Sequence, residues 1–165
     1  MVYMALFISQ ALVLHYIENF FPPLAPGAKL GLANILTLVT LHVFGFKEAM
    51  TVVIIRSILG PMLGGSPTGI LYSLAGGILS CLVMSVLYCR IPQYFTLMGI
   101  SVAGAVFHNI GQMLTASLLY GTIGILFTYL PILMISSVIT GNFIGLAVKY
   151  IIKFLDNKAV RAHVS

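Results

Sequence analysis

Residues 69–89 read GILYSLAGGILSCLVMSVLYC, an apolar run without one charged side chain, closed by Arg90 and then Pro92. A helix needs about 20 residues of this kind to cross the hydrocarbon of a bilayer. The same pattern recurs on both sides of the run. Toward the C-terminus, 95–120 is a second long apolar stretch. Residues 131–154 form a third that opens on Pro131, where proline suits a first helical turn. The intervening 121–130 reads either as a short surface helix or as a longer start to the sixth span. Toward the N-terminus, 2–21 ends at Pro22-Pro23, which cannot continue a helix. A Pro- and Gly-rich loop, 22–31, leads into a short run, 32–46. Lys47-Glu48 turns the chain into 49–63, and Gly64-Gly65-Ser66-Pro67 breaks it again. The expectation is one integral membrane domain over 1–165, an all-α, polytopic bundle of about six transmembrane helices.

Composition points the same way. The chain is 60% hydrophobic and 7% charged, whereas soluble domains carry roughly 25% charged residues. Water does not tolerate the apolar surface such a globule would expose, and the mean hydropathy of +1.11 places the chain in lipid. The net charge of +5 does not form a nucleic-acid face. Lys149, Lys153, Lys158 and Arg161 crowd the C-terminal tail and the other basic residues stand singly between apolar runs. With six spans, Lys47, Arg90 and the tail fall on one side and Lys29 alone on the other. The positive-inside rule then puts both termini in the cytoplasm of a multi-pass plasma-membrane protein, with the 22–31 loop outside. The first run lacks a basic leader and a small-x-small cleavage site, so it reads as a retained helix. Cys81 and Cys89, about 12 Å apart along one helix, are too distant for a disulfide and read as reduced fillers of the bundle. No internal repeat is evident, which argues against an inverted-repeat transporter acting alone.

Polar side chains inside spans are costly and usually face the bundle interior or a cavity. In the fifth run, Gly104, His108, Gly111, Gln112 and Thr115 recur at offsets that share one helical face. Small residues there open space beside His108 and Gln112, which either hydrogen-bond a ligand or glue helices together. Asn109 is a further candidate, about 100° round the helix, where a structural role competes. Arg56 lies about 13 Å beyond Lys47, near mid-membrane. It is either a clamp for a carboxylate or other anion or half of a structural ion pair, for which Glu18 is the available partner. His15 and Glu18 share a face at the end of the first run. Together with His108 they lack the ligands a metal site needs and read as an interfacial polar patch. Lys29 and Asn34, on either side of Gly31, would suit an anionic group, or simply belong to a turn. Ser137, Gly141 and Gly145 make a small-xxx-small stripe, with a weaker one at Ala5 and Ser9, for close helix packing or for docking a partner subunit.

Several chemistries are excluded. There is no GxxxxGK[ST] motif, so the chain is not its own ATPase. Its three carboxylates, Glu18, Glu48 and Asp156, are too dispersed for a Mg²⁺–diphosphate reaction. No Ser-His-Asp arrangement lies within the spans. The chain is expected to be no enzyme and to need neither cofactor nor metal.

Four segments, in order, resemble the Gx transporter family: PGAKLGLANI at 26–35, FGFKE at 44–48, LAGG at 74–77 and GAVFHNIGQ at 104–112. That family is widely labelled heptaprenyl diphosphate synthase component I. The size and span count also look like the substrate-binding S components of energy-coupling factor transporters. The resemblance implies a small-molecule substrate held between the outer loop and the fifth and sixth spans. It also implies a transmembrane coupling subunit docked on Gly/Ala-rich faces and a pair of ATPases. Prenyl synthases of the usual kind carry aspartate-rich DDxxD motifs, absent here, so the synthase label would describe an accessory role.

Overall fold

The computed structural model describes residues 2–18, 20, 31–64 and 67–164, with only the backbone for 158–164. Six helices carry the described chain: α1 (Val2–Glu18), α2 (Asn34–Val43), α3 (Phe46–Leu63), α4 (Thr68–Arg90), α5 (Leu97–Tyr120) and α6 (Gly124–Val164). No strand occurs among the described residues, and the all-helical bundle expected from the apolar runs is what forms. Lys29, the rest of 21–30, Gly65, Ser66 and the side chains of Lys158 and Arg161 lie outside the described part.

Three helices are long and apolar enough to cross a membrane: α4, α5 and the Gly124–Asn157 portion of α6. α3 has 18 residues but carries Lys47, Glu48 and Arg56, and α1 has 17. The correction concerns the second run. α2 has ten residues, about 15 Å of helix, half the thickness of the hydrocarbon. It cannot span the bilayer and is instead enclosed, with every residue from Asn34 to Leu41 buried. It touches all five other helices, which follow one another around it in the order α1, α3, α4, α5, α6.

A second correction concerns Pro131. It sits inside α6 and not in a first turn, so residues 124–130 belong to the last helix. An internal proline forfeits one backbone hydrogen bond and bends the helix, at a cost of about 3 kcal/mol or more. Packing of Ile125, Leu126 and Tyr129 against Tyr72, Met113, Ala116 and Leu133 offsets that loss. α6 is then about 60 Å long, twice the hydrocarbon thickness, so part of it stands clear of the lipid.

The helices share a common polarity of ends. Phe7 of α1 meets Phe44 edge-on at 5.5 Å. His42 Nδ1 lies 2.6 Å from the Tyr88 hydroxyl, and His42 Nε2 lies 3.6 Å from Asp156. The start of α1, the ends of α2 and α4 and the late part of α6 therefore meet at one end of the bundle. Exposed Lys47, Arg90, Lys149 and Lys153 belong to that basic end. Cys81 is buried as expected, but Cys89 is exposed and fills no interior space. Gly45 makes the turn between α2 and α3 at φ +97°, a conformation that only glycine adopts without strain.

The outer surface is apolar, with Leu118, Phe127, Ile135, Ile139 and Phe143 all exposed. The small-residue stripe of α6 does not reach that surface. A Cβ on Gly141 would stand 2.5 Å from Val102 Cα, and one on Gly145 2.6 Å from Met98 Cα. The stripe is consumed by α5, so it is no docking face for another subunit. The prediction is that Gly141→Leu lowers thermal stability in detergent by about 1–3 kcal/mol through overpacking. Gly124→Ala, which meets nothing closer than Thr122 Oγ1 at 3.4 Å, should leave the unfolding curve in place.

Candidate functional site

α2 begins in the interior. Its first residues have no carbonyls four positions earlier, and a helix start carries about half a positive charge. A tight turn supplies part of what is missing: Asn34 N–H donates to Gly31 O at 2.8 Å and Ile35 N–H to Leu32 O at 3.0 Å. The N-cap residue, Ala33, has no side-chain cap. Glu18, the last residue of α1, takes that role from a distance, accepting a hydrogen bond from Leu32 N–H. His15, one turn earlier, places Nδ1 3.9 Å from the other Glu18 oxygen. Its ring occupies the notch left by Gly60, where a Cβ would lie 2.5 Å from His15 Cδ2.

Arg56 completes the charge balance. The residue is 1% exposed and Glu18 5%, and the two act on one another electrostatically. Its Nη2 donates to Asn34 Oδ1 at 2.9 Å. A guanidinium offers only donors, so Asn34 turns its oxygen toward Arg56 and its amide nitrogen away. Among the described residues neither Asn34 Nδ2 nor Arg56 Nε has a hydrogen-bond partner. Gly77 lets α3 approach: a Cβ there would stand 2.9 Å from Val53 Cγ1 and 3.1 Å from Ser57 Oγ, with Arg56 Nη2 at an ordinary 3.7 Å.

On the facing side, His108 and Gln112 of α5 are one turn apart and share a hydrogen bond at 3.1 Å. Both press on Gly76 of α4, where a Cβ would stand 3.0 Å from Gln112 Cγ and 3.1 Å from His108 Cε1. Gly111 lets the backbones cross, since a Cβ on it would meet Ala75 O at 2.7 Å. The His108 ring also reaches Gly31, 3.8 Å from where its Cβ would be. Gly31 thus joins the two halves, with Asn34 on one side and His108 on the other.

Of the residues singled out in the sequence, Glu18, Asn34, Arg56, His108 and Gln112 are brought together, all buried. Asn109 is not. It faces α6, donating to Ser137 Oγ at 2.8 Å and Leu133 O at 3.3 Å, because the angular step from His108 carries it to the neighbouring helix. Lys29 lies outside the described residues. Among those described, no group of three His, Cys, Asp or Glu side chains is placed to hold a metal. The sequence reading missed the glycine seats: Gly60 for His15, Gly76 for His108 and Gln112, Gly77 for Val53 and Ser57. Their presence in LAGG was visible, but what would rest on them was not.

The interior thus holds two donors with no acceptor among the described residues, Asn34 Nδ2 and the Nε of the Arg56 guanidinium. Residues 7–151 match the family model described as heptaprenyl diphosphate synthase component I. Comparison with curated proteins and with solved structures gives no match.

A double-mutant cycle reads whether Glu18 and Arg56, both buried but not in ion-pair contact, depend on one another. A buried charge deprived of an opposite charge nearby is destabilising, whereas removing both is less damaging. Glu18→Gln, which keeps an acceptor for Leu32 N–H, and Arg56→Met should each lower the melting temperature in detergent. The double variant should melt above the less stable of the two single variants.

Proposed function

The chain belongs to the heptaprenyl diphosphate synthase component I family, and on that premise we propose that it is a membrane-embedded substrate-binding subunit of a transporter. It captures a small, partly apolar, anionic molecule of the vitamin, quinone-precursor or isoprenoid-related kind. The observation that carries this reading is the pair of buried donors, Arg56 Nε and Asn34 Nδ2, with no acceptor among the described residues. In lipid, an unsatisfied buried polar group is expensive, and a carboxylate or phosphate entering beside Arg56 relieves both at once. His108 and Gln112 orient the rest of the ligand. Half-helix N-termini pointing at anionic groups are a recurrent device of membrane transport sites, and α2 has that form.

The basic end, with Lys47, Arg90, Lys149 and Lys153, faces the cytoplasm by the positive-inside rule. Both chain ends then lie inside. A transmembrane coupling subunit and ATPases supply the energy, since the chain has no phosphate-binding motif of its own.

The family name favours a second reading, an accessory membrane component of heptaprenyl diphosphate synthesis that works beside a separate synthase. Under both readings the chain does no chemistry itself. Glu18 is engaged in the interior, away from Asp156, which pairs with His42 at the basic end.

Purification in mild detergent, followed by mass spectrometry of extracted small molecules, tests the proposal. Wild type should retain one acidic compound. A hydrogen bond from a charged donor is worth about 1.5–3 kcal/mol, so Arg56→Gln should weaken retention by roughly tenfold to a hundredfold. His108→Ala with Gln112→Ala should abolish retention while the bundle stays folded. An empty wild type, or unchanged occupancy in these variants, rejects the capture role. Product formation only in the presence of a co-purifying soluble synthase would establish the accessory reading.

A further inference from the structure

Hydroxyl side chains in this bundle have a usual place to go. Ser9, Thr40, Thr51, Thr115, Ser137 and Thr140 each donate to the carbonyl four residues back in their own helix, at 2.6–3.0 Å. That bond is the local solution for a hydroxyl in a helix deprived of water. Thr37, Ser80 and Ser101 do not take it. They are 0%, 0% and 2% exposed, and their oxygens have no hydrogen-bond partner among the described residues. A fourth hydroxyl oxygen, on the partly buried Ser117 toward the end of α5, is likewise without a partner among the described residues.

The three fully buried ones are not scattered, whereas Ser117 stands apart, beyond His108 toward the end of α5. Thr37 is one turn along α2 from Asn34. Ser80 is one turn along α4 from Gly76, the seat of His108 and Gln112. Its Oγ faces α5, 3.2 Å from where a Cβ on Gly104 would stand. Ser101 is one turn from Gly104 on the same buried face of α5. α2 and α4 run from the charged layer toward the basic end and α5 runs back, so each step leads the same way. These three helices all touch one another.

We propose that Thr37, Ser80 and Ser101 form a second, uncharged layer of the binding site, one to two helical turns inward of Arg56. It takes a hydroxyl, carbonyl or amide group of the ligand whose anionic end sits at Arg56. This rests on the capture role proposed above and narrows it. A hydroxyl both donates and accepts, so the layer selects for polarity without charge. The substrate class is an elongated acid with a neutral hydrogen-bonding group about 5–10 Å from the anionic one, the rise of one to two turns. Ordered water occupies the layer when the ligand is absent, as it does other polar interior spaces.

Water is therefore the property to test, and no ligand is needed. Single cysteines replace Thr37, Ser80 or Ser101 in a Cys81→Ala, Cys89→Ala background, in membrane vesicles. The probe is 2-aminoethyl methanethiosulfonate, which attacks thiolates, and a thiol ionises readily only in a polar, hydrated setting. Leu38→Cys and Val53→Cys, equally buried in α2 and α3, are the controls. The three hydroxyl positions should react at least about tenfold faster than the controls, in proportion to their thiolate fraction. Equal rates overturn the second layer. Rates are scored on protein that remains monodisperse after solubilisation; if one variant is lost, the other two, on different helices, decide. Equal rates in a protein whose wild type still retains an acidic compound remove the second layer alone. A wild type that retains nothing removes the capture role, and with it the ligand assignment of this layer, whatever the labelling shows.

Discussion

A helix that starts inside a lipid-immersed bundle presents unpaired amide groups and a positive dipole end where there is no water to answer them. α2 starts in that way, and most of the interior follows from it. Glu18 accepts from Leu32 N–H ahead of the helix and brings a negative charge to its positive end. A buried carboxylate is favoured by positive charge nearby, and Arg56 is buried in the same interior without ion-pair contact to it. A buried guanidinium needs acceptors, and Asn34 offers one. Each residue answers a cost created by the one before. The chain of answers stops at Arg56 Nε and Asn34 Nδ2.

Enclosing a half-length helix also dictates the architecture. α2 cannot expose its ends to lipid, so five helices wrap it and every pair of neighbours in the arc must approach closely. Glycine makes that approach possible where α4 crosses α5, at Gly76 and Gly111, and where α5 meets α6, at Gly141 and Gly145. Large apolar side chains are left for the outside, where acyl chains accept them. The interior consequently combines an apolar cluster with most of the molecule's buried polar side chains.

Much of the candidate site was legible before the structure. Ionisable and amide groups are scarce enough in this chain that each marks the interior, and Glu18, Asn34, Arg56, His108 and Gln112 do meet. Helical spacing separated Asn109 from His108 correctly in angle, but angle alone did not reveal Ser137 as its partner. Thr37 stood out only as a neighbour of Asn34 at the start of the second run, and Ser80 and Ser101 were overlooked, because an isolated hydroxyl in an apolar run carries no periodic signal. Only the absence of a bond to its own helix sets it apart, and that is a property of rotamer and neighbour.

Hydropathy and the punctuation of Pro, Gly and charge determined that the chain is an all-helical membrane bundle, and they set most helix limits, because burial in lipid acts on each segment by itself. Whether a given apolar run crosses or stops halfway was decided by packing. The run at 32–46 became a ten-residue enclosed helix and Pro131 became an internal residue of α6, since contacts among distant segments outweighed the local preference. Which helix lies beside which, and so which polar atoms find partners and which are left over, depends on distances between segments far apart in the chain, and no stretch of sequence contains that information.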